Sequence, residues 1–157
     1  MSSAGIKITA AKKKVSGTIY LTGSKSESNR ALIMQAMSKG AVEVKNVSEA
    51  ADTVTLLGIL QPLKLKAENE AAVQSPKVID IGPAGTAMRF LTAYYTLQNG
   101  EVILTGSARM KQRPIGILVD ALRELGAEIE YAEQDGYPPL VLRGPLKQKS
   151  EKVSIKG

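Results

Sequence analysis

Short runs of alternating apolar and polar residues recur along the chain, and most are followed by glycine and then by apolar residues at helical spacing. Alternation predicts half-buried strands, whereas apolar residues three and four positions apart predict amphipathic helices. In the first half, the pattern predicts strands at 6–8, 16–21, 41–47 and 63–66, helices at about 26–38 and 51–60, and a weakly determined hairpin arm at 69–76. Pro62 is expected to end the second helix, since proline donates no backbone hydrogen bond.

The second half of the chain repeats this order of elements. Strands are predicted at 78–81, 101–105, 127–131 and 140–143, and helices from the glycine turn at 82–89 to residue 97 and from 114 to 125. A basic loop at 106–113 precedes the second of these helices, and Gly126 is expected to cap it. Strands alternate with helices throughout, so the predicted fold class is α/β.

Equivalent residues occupy equivalent places in the two halves, as an internal repeat requires. Arg30 lies seven residues after Gly23, and Arg89 lies seven residues after Gly82. Together with the matching order of elements, these spacings predict a repeated βαβαββ unit. Unit one is predicted at 15–76, unit two at 77–146 and the start of a third at 147–157, after an N-terminal strand and linker at 1–14. Because a repeat unit leaves its apolar face uncovered without neighbours, we expect a fragment of a longer protein.

The glycine turn at 23–30 carries the clearest candidate chemistry in the sequence. Lys25, Arg30 and three serine hydroxyls lie there, at the predicted start of a helix. A helix start presents free backbone N–H groups and roughly half a positive charge, which suits phosphate or carboxylate. An ordinary helix N-cap also uses serine and asparagine. On this stretch alone, an anion site and a basic N-cap both stay open.

Composition narrows the classes of function. The net charge of +6 favours anionic partners, and the absence of cysteine and histidine excludes disulfides, thiolate chemistry and a histidine base. One phenylalanine, five tyrosines and no tryptophan argue against a stacking surface for nucleic acid. No signal-peptide pattern or long apolar run is visible, so we expect a cytoplasmic protein without a membrane partner. Small phosphorylated metabolites fit these properties best.

Three ordered motifs resemble those of the EPSP synthases (3-phosphoshikimate 1-carboxyvinyltransferases), in the enolpyruvyl transferase family. They are Gly23-Ser24-Lys25-Ser26 with Asn29-Arg30, Gly85-Thr86-Ala87-Met88-Arg89, and Arg113-Pro114-Ile115-Gly116. The resemblance implies a domain of βαβαββ units in an inside-out α/β barrel, with substrates in a cleft between two domains. It also implies transfer of the enolpyruvyl group of phosphoenolpyruvate to the 5-hydroxyl of shikimate 3-phosphate, with release of phosphate. For this step of the shikimate pathway, the resemblance implies no metal or organic cofactor.

The resemblance assigns the candidate residues to two substrates. Lys25, Ser26 and Arg30 match residues that bind shikimate 3-phosphate, and Lys25, Gly85 and Arg113 match residues that bind phosphoenolpyruvate. No residue of this chain matches the carboxylates that transfer protons, so no catalytic residue is predicted here. The fragment alone is therefore expected to be inactive and, with apolar faces uncovered, to self-associate, whereas the full enzyme is expected to be a monomer.

One departure from the family and several simpler explanations qualify this assignment. Pro83 stands where the family commonly has asparagine, so altered affinity or inhibitor response is expected. Gly85 could serve only the turn, and Arg89 could be structural, paired with Asp52 or Asp120. The basic loop at 106–113 could simply be solvated. The alternative to an enzyme fragment is therefore a non-catalytic phosphate- or polyanion-binding module, with a nucleic-acid binder a distant third.

Overall fold

The computed structural model describes residues 16–66 and 76–155, with residues 62–66 described as backbone only. The predicted strand at 6–8, the linker up to residue 14, the hairpin arm at 69–75 and the last two residues lie outside these ranges. The described elements are α1 (Lys25–Met37), α2 (Ala51–Lys66), β1 (Lys77–Asp80), α3 (Gly85–Tyr95), β2 (Gly100–Thr105), α4 (Ala108–Lys111), α5 (Gly116–Leu125), β3 (Glu128–Tyr131) and β4 (Leu140–Gly144). The predicted α/β class is confirmed.

A four-stranded mixed sheet in the order β1-β2-β4-β3 organises the second half. β1 and β2 are parallel and joined through α3, whereas β4 is antiparallel to both of its neighbours. One face of the sheet is apolar because alternate residues of each strand point to it. Its buried side chains are Ile79, Val102, Leu104, Ile129, Leu140 and Leu142. α3 covers β2 and β4, and α5 covers β3.

The opposite face of the sheet is polar at one end. Arg143 of β4 lies between two neighbouring strands and forms ion pairs with Glu101 at 2.6 Å, Glu128 at 3.3 Å and Glu130 at 2.7 Å. Glu101 and Glu128 are its direct partners across the two strand pairs. The hydrogen bond from Arg143 is the main reason that the pKa of the Glu130 carboxyl lies below its ordinary value. This cross-strand network ties β2, β3 and β4 together.

Helices α1 and α2 pack against each other and against α3, and they extend the core of the sheet layer. Leu32 of α1 and Leu56 and Leu60 of α2 are almost completely buried. The predicted helix at 26–38 is therefore confirmed within a residue at each end. The predicted end of the second helix at Pro62 is wrong, because α2 continues to Lys66. The alternation at 63–66 predicted a strand, but four residues are too few to distinguish a strand from a helix.

The strands predicted at 16–21 and 41–47 are also wrong, since neither segment pairs with another strand in the described residues. Ile19, Tyr20 and Leu21 have exposed fractions of 83%, 90% and 89%. A strand forms only when a neighbour satisfies its backbone hydrogen bonds, and local alternation does not supply that neighbour. The βαβαββ order is present at 77–146, with the short α4 inserted, while the repeat itself stays a prediction.

Backbone geometry at the end of α5 agrees with the predicted glycine cap. Gly126 adopts φ 109°, in the left-handed region that glycine enters without a steric penalty. The Ala127 N–H then donates to the Leu122 carbonyl at 2.9 Å. α5 itself begins at Gly116, two residues after the predicted start. Within the described ranges, no helix combines the length and apolarity needed to cross a bilayer.

Candidate functional site

A pocket of ≈ 250 Å³ opens where the starts of α1, α2 and α3 meet the loop after α4. The residues that line it are Lys25, Asp52, Pro83, Gly85, Thr86, Arg89, Phe90 and Arg113. Three of the eight are cations and only Asp52 is an anion. A concave site with this charge balance attracts anions, because its low-dielectric walls strengthen each charge.

Lys25 reaches this pocket from the first residue of α1. Ser24 caps the helix, its Oγ accepting from the Glu27 N–H at 3.5 Å. A cation at the positive end of a helix is unfavourable by about 0.3–1 kcal/mol. Asp52, in the first turn of α2, offsets this cost by accepting from Lys25 Nζ at 3.2 Å. The ion pair therefore holds the half-exposed Lys25 side chain at the pocket.

Gly85 is the buried first residue of α3, and it forms the floor of the pocket. Ala84 precedes it as the N-cap and offers no side-chain hydrogen bond to the helix. The positive end of α3 is therefore open to an anion. The guanidinium of Arg113 lies directly on the Gly85 Cα, so that a Cβ at this position would collide with Arg113 Nη1. A glycine is required here for close approach to Arg113.

Arg89 fixes the relative positions of α3 and the loop that carries Arg113. Its Nη1 donates to the Gly85 carbonyl at 3.3 Å, and its Nη2 donates to the Pro114 carbonyl at 3.2 Å. The alternative that Arg89 pairs with Asp52 or Asp120 is not found among the described residues, where those carboxylates pair with Lys25 and Arg123. Arg89 instead links two backbone segments while its charge stays at the pocket.

The structure brings together three of the five predicted site residues. Lys25, Gly85 and Arg113 all line the pocket, whereas Ser26 and Arg30 do not. Arg30 follows Lys25 by five residues, so it projects about 140° around the helix axis at 3.6 residues per turn. Ser26 and Arg30 are both exposed on the surface of α1. On α1, Ser26 and Arg30 thus lie on a different side of the helix from Lys25.

Five lining residues were not among the predicted site residues, namely Asp52, Pro83, Thr86, Arg89 and Phe90. Asp52 was noted only for its place at a helix start, and no sequence spacing links it to Lys25, 27 residues away. Phe90 follows Arg89 and, with Pro83, supplies apolar surface to the pocket. Phe90 could have been found from the sequence, because it lies four residues after Thr86 and therefore on the same face of the predicted helix. Among the described residues, no cluster of three acidic side chains is present that could hold a metal ion.

These features make the pocket a candidate anion-binding site, built on helix starts in a mixed α/β domain. The family model of EPSP synthase (3-phosphoshikimate 1-carboxyvinyltransferase) matches residues 9–157. The chain therefore belongs to the EPSP synthase family, as its motifs predicted.

Known proteins support this family membership. A 3-phosphoshikimate 1-carboxyvinyltransferase of Yersinia pestis is 45% identical over 144 residues, covering 83% of this chain and 34% of the relative. One from Bacteroides fragilis is 45% identical over 150 residues, covering 96% of this chain and 33% of the relative. A solved EPSP synthase of Acinetobacter baumannii shares the fold, with a TM-score of 0.63 and 22% identity over 85% of this chain and 33% of that one. The chain spans about a third of the length of these relatives.

Proposed function

We propose that this chain supplies one wall of an active site that transfers the enolpyruvyl group of phosphoenolpyruvate to the 5-hydroxyl of shikimate 3-phosphate. The observation that carries the proposal is the convergence of Lys25, Gly85 and Arg113 on one pocket. These are the three residues that the family motifs associate with phosphoenolpyruvate. The same resemblance implies a monomeric, cytoplasmic parent enzyme.

The pocket residues would act on charge in the first substrate. Arg113 presents two N–H groups in a rigid fork that matches one edge of a phosphate or carboxylate. Lys25 adds a compact charge that can serve two anions at once. Together with the open start of α3, these groups stabilise the negative charge that moves onto the phosphate group as the bond between carbon and the phosphate oxygen breaks. The chain contributes no predicted proton donor, so its part is to bind and orient.

Ser26 and Arg30 would contact the second substrate on the neighbouring surface of α1. Their exposure leaves them available to a ligand that lies outside the pocket and against the helix. Lys25, between the two surfaces, would touch both ligands. In this arrangement shikimate 3-phosphate lies on α1, and its hydroxyl faces phosphoenolpyruvate in the pocket. The hydroxyl oxygen would add to the central carbon of phosphoenolpyruvate as it loses its proton and the methylene carbon gains one. Loss of phosphate together with a methyl proton would then restore the double bond.

Titration calorimetry tests the assignment of the pocket. Lys25→Met should weaken binding of phosphoenolpyruvate by at least about ten-fold, as expected for one charge-assisted hydrogen bond. Lys45→Met is the matched control, because it removes the same charge from an exposed lysine that pairs only weakly with Glu43, at 3.7 Å. Its effect should stay within about two-fold, since exposed and distant charges are screened. Equal losses in the two variants would contradict the pocket assignment.

Phosphate release tests the reaction itself. We expect none from the 157-residue chain alone when both substrates are supplied. A polypeptide that extends this chain to the full length of its relatives should release phosphate, and Arg113→Gln in that polypeptide should abolish most of the release. If the extended polypeptide binds phosphoenolpyruvate but never releases phosphate, the enzyme proposal fails and a non-catalytic phosphate-binding module replaces it.

A further inference from the structure

A second cavity of ≈ 220 Å³ adjoins the pocket, on the other side of Pro83 and Arg113. Ser107, Arg109 and Met110, from the start of α4, complete its lining. The two cavities therefore share two walls, while the second contains none of Lys25, Asp52 and Gly85. Of the residues that line this second cavity, only Arg113 is assigned a ligand by the family motifs described above.

The lining of this cavity carries two positive charges and no negative charge. In the part of the chain that the structure describes, neither Arg109 nor Arg113 forms an ion pair or a side-chain hydrogen bond. Lys111, on the same short helix, differs because its Nζ pairs with Glu133 at 2.5 Å. Glu133 is thus engaged by Lys111 and not by either arginine. Two neighbouring guanidinium groups without a counterion are a strong attraction for an oxyanion.

The cavity also has a fixed frame and a hydroxyl donor. The Ser107 N–H donates to the Gly82 carbonyl at 3.0 Å, so the start of α4 is attached to the turn that carries Pro83. Ser107 Oγ accepts from the Met110 N–H at 3.3 Å, and its own proton remains available to a ligand. Met110 is 1% exposed and forms an apolar wall. A group held here is therefore partly shielded from water.

We propose that this cavity is a second oxyanion site, which binds inorganic phosphate through Arg109, Arg113 and Ser107. A cavity of this volume accommodates a small tetrahedral ion. Arg113 has five N–H donors, enough to serve one oxyanion on each side. The binding site stands independently of the proposed reaction. The role of the cavity in receiving phosphate does rest on the proposed reaction, since phosphate released in the pocket would pass Arg113 to enter it.

Amide NMR spectra recorded during titration with inorganic phosphate test this proposal. We expect two separate sets of shifted amides, one at the start of α3 around Thr86 and one from Ser107 to Lys111. Arg109→Gln should weaken the second response by about ten-fold and change the first by less than about two-fold. Arg109→Lys retains the charge but loses the fork, so it should recover only part of the response.

Lys111→Gln is the matched control, since it removes the same charge two residues away from a side chain already paired with Glu133. Its effect on the second response should stay within about two-fold. If Arg109→Gln and Lys111→Gln weaken the response equally, general electrostatics explains it and the second site is refuted. If only the amides near Thr86 shift, the second site is also refuted while the pocket stands. A response confined to 107–111 would support the second site and contradict the proposed function of the pocket.

Discussion

Gly85→Ala should weaken phosphoenolpyruvate binding without destabilising the fold. The new Cβ would collide with Arg113 Nη1, and it would also lie 3.3 Å from Arg113 Cζ. The guanidinium is the far end of a flexible side chain, so we expect it to swing away while the backbone of α3 stays in place. Alanine at a helical position is more favourable than glycine by about 0.5–1 kcal/mol, which offsets the cost of the displacement.

The size of the binding effect follows from the contacts that a displaced Arg113 loses. A hydrogen bond between charged groups contributes about 1.5–3 kcal/mol, which corresponds to a loss of about 10- to 100-fold in affinity. Calorimetric titration with phosphoenolpyruvate measures this loss, and urea unfolding checks that stability is retained. Gly116→Ala is the matched control, because a Cβ there would have its nearest atoms at 3.6 and 3.7 Å, an ordinary packing distance. Its affinity for phosphoenolpyruvate should equal that of the parent chain.

A double-mutant cycle decides whether Arg113 is the reason for the effect. In an Arg113→Gln background, the guanidinium that a Cβ would displace is absent. Gly85→Ala should then cause little further loss, so the two changes should be strongly non-additive. Additive losses, or an unchanged affinity in Gly85→Ala alone, would refute the reasoning from close approach.

Three further predictions concern stability and association. Gly58→Ala, at an exposed position of α2 with no atom within 4 Å of the new Cβ, should raise the free energy of unfolding by about 0.5–1 kcal/mol in urea titrations. Arg143→Gln should lower stability near pH 7, and the difference from the parent should shrink toward pH 3. The reason is that the pKa of the Glu130 carboxyl lies below its ordinary value of 4.5 in the folded protein. Its ion pair therefore stabilises the fold above pH 4.5, and this stabilisation is lost as the pH falls through the folded pKa. The chain should self-associate in sedimentation experiments. The double variant Ile19→Ser, Leu21→Ser should reduce this association, because both side chains are more than 80% exposed. Unchanged association would show that this surface is not the interface.

The sequence predicted the fold best where structure is determined locally. Helix starts and ends depend on capping residues and on helical spacing, so α1 and α3 were predicted within a few residues. The strands at 78–81 and 101–105 also formed, because β1 and β2 find each other through the short α3 connection. The segments at 16–21 and 41–47 alternate just as clearly. They form no strand because pairing is a non-local property that alternation does not encode.

The candidate site shows the same division between local and non-local information. The convergence of Lys25, Gly85 and Arg113 agrees with their motif positions, each at or just before a helix start. The pairing of Lys25 with Asp52 depends on how α1 packs against α2, and no residue spacing predicts that packing. The direction of Arg30 was available from the sequence, since a separation of five residues in a helix turns a side chain away from its neighbour.

The charges of the pocket explain why anion binding should also stabilise the protein. Lys25, Arg89 and Arg113 lie together near the positive ends of helices, and among the residues that line the pocket only Asp52 opposes their mutual repulsion. Asp52 is already engaged by Lys25, so the two arginines keep an excess of positive charge toward the cavity. A bound dianion would remove that repulsion in the folded state, whereas the unfolded chain presents no such cluster. Ligand binding to the folded state alone raises stability by about 2.7 kcal/mol at a ligand concentration 100 times Kd. The melting temperature should therefore rise with phosphoenolpyruvate in the parent chain and rise much less in Lys25→Met.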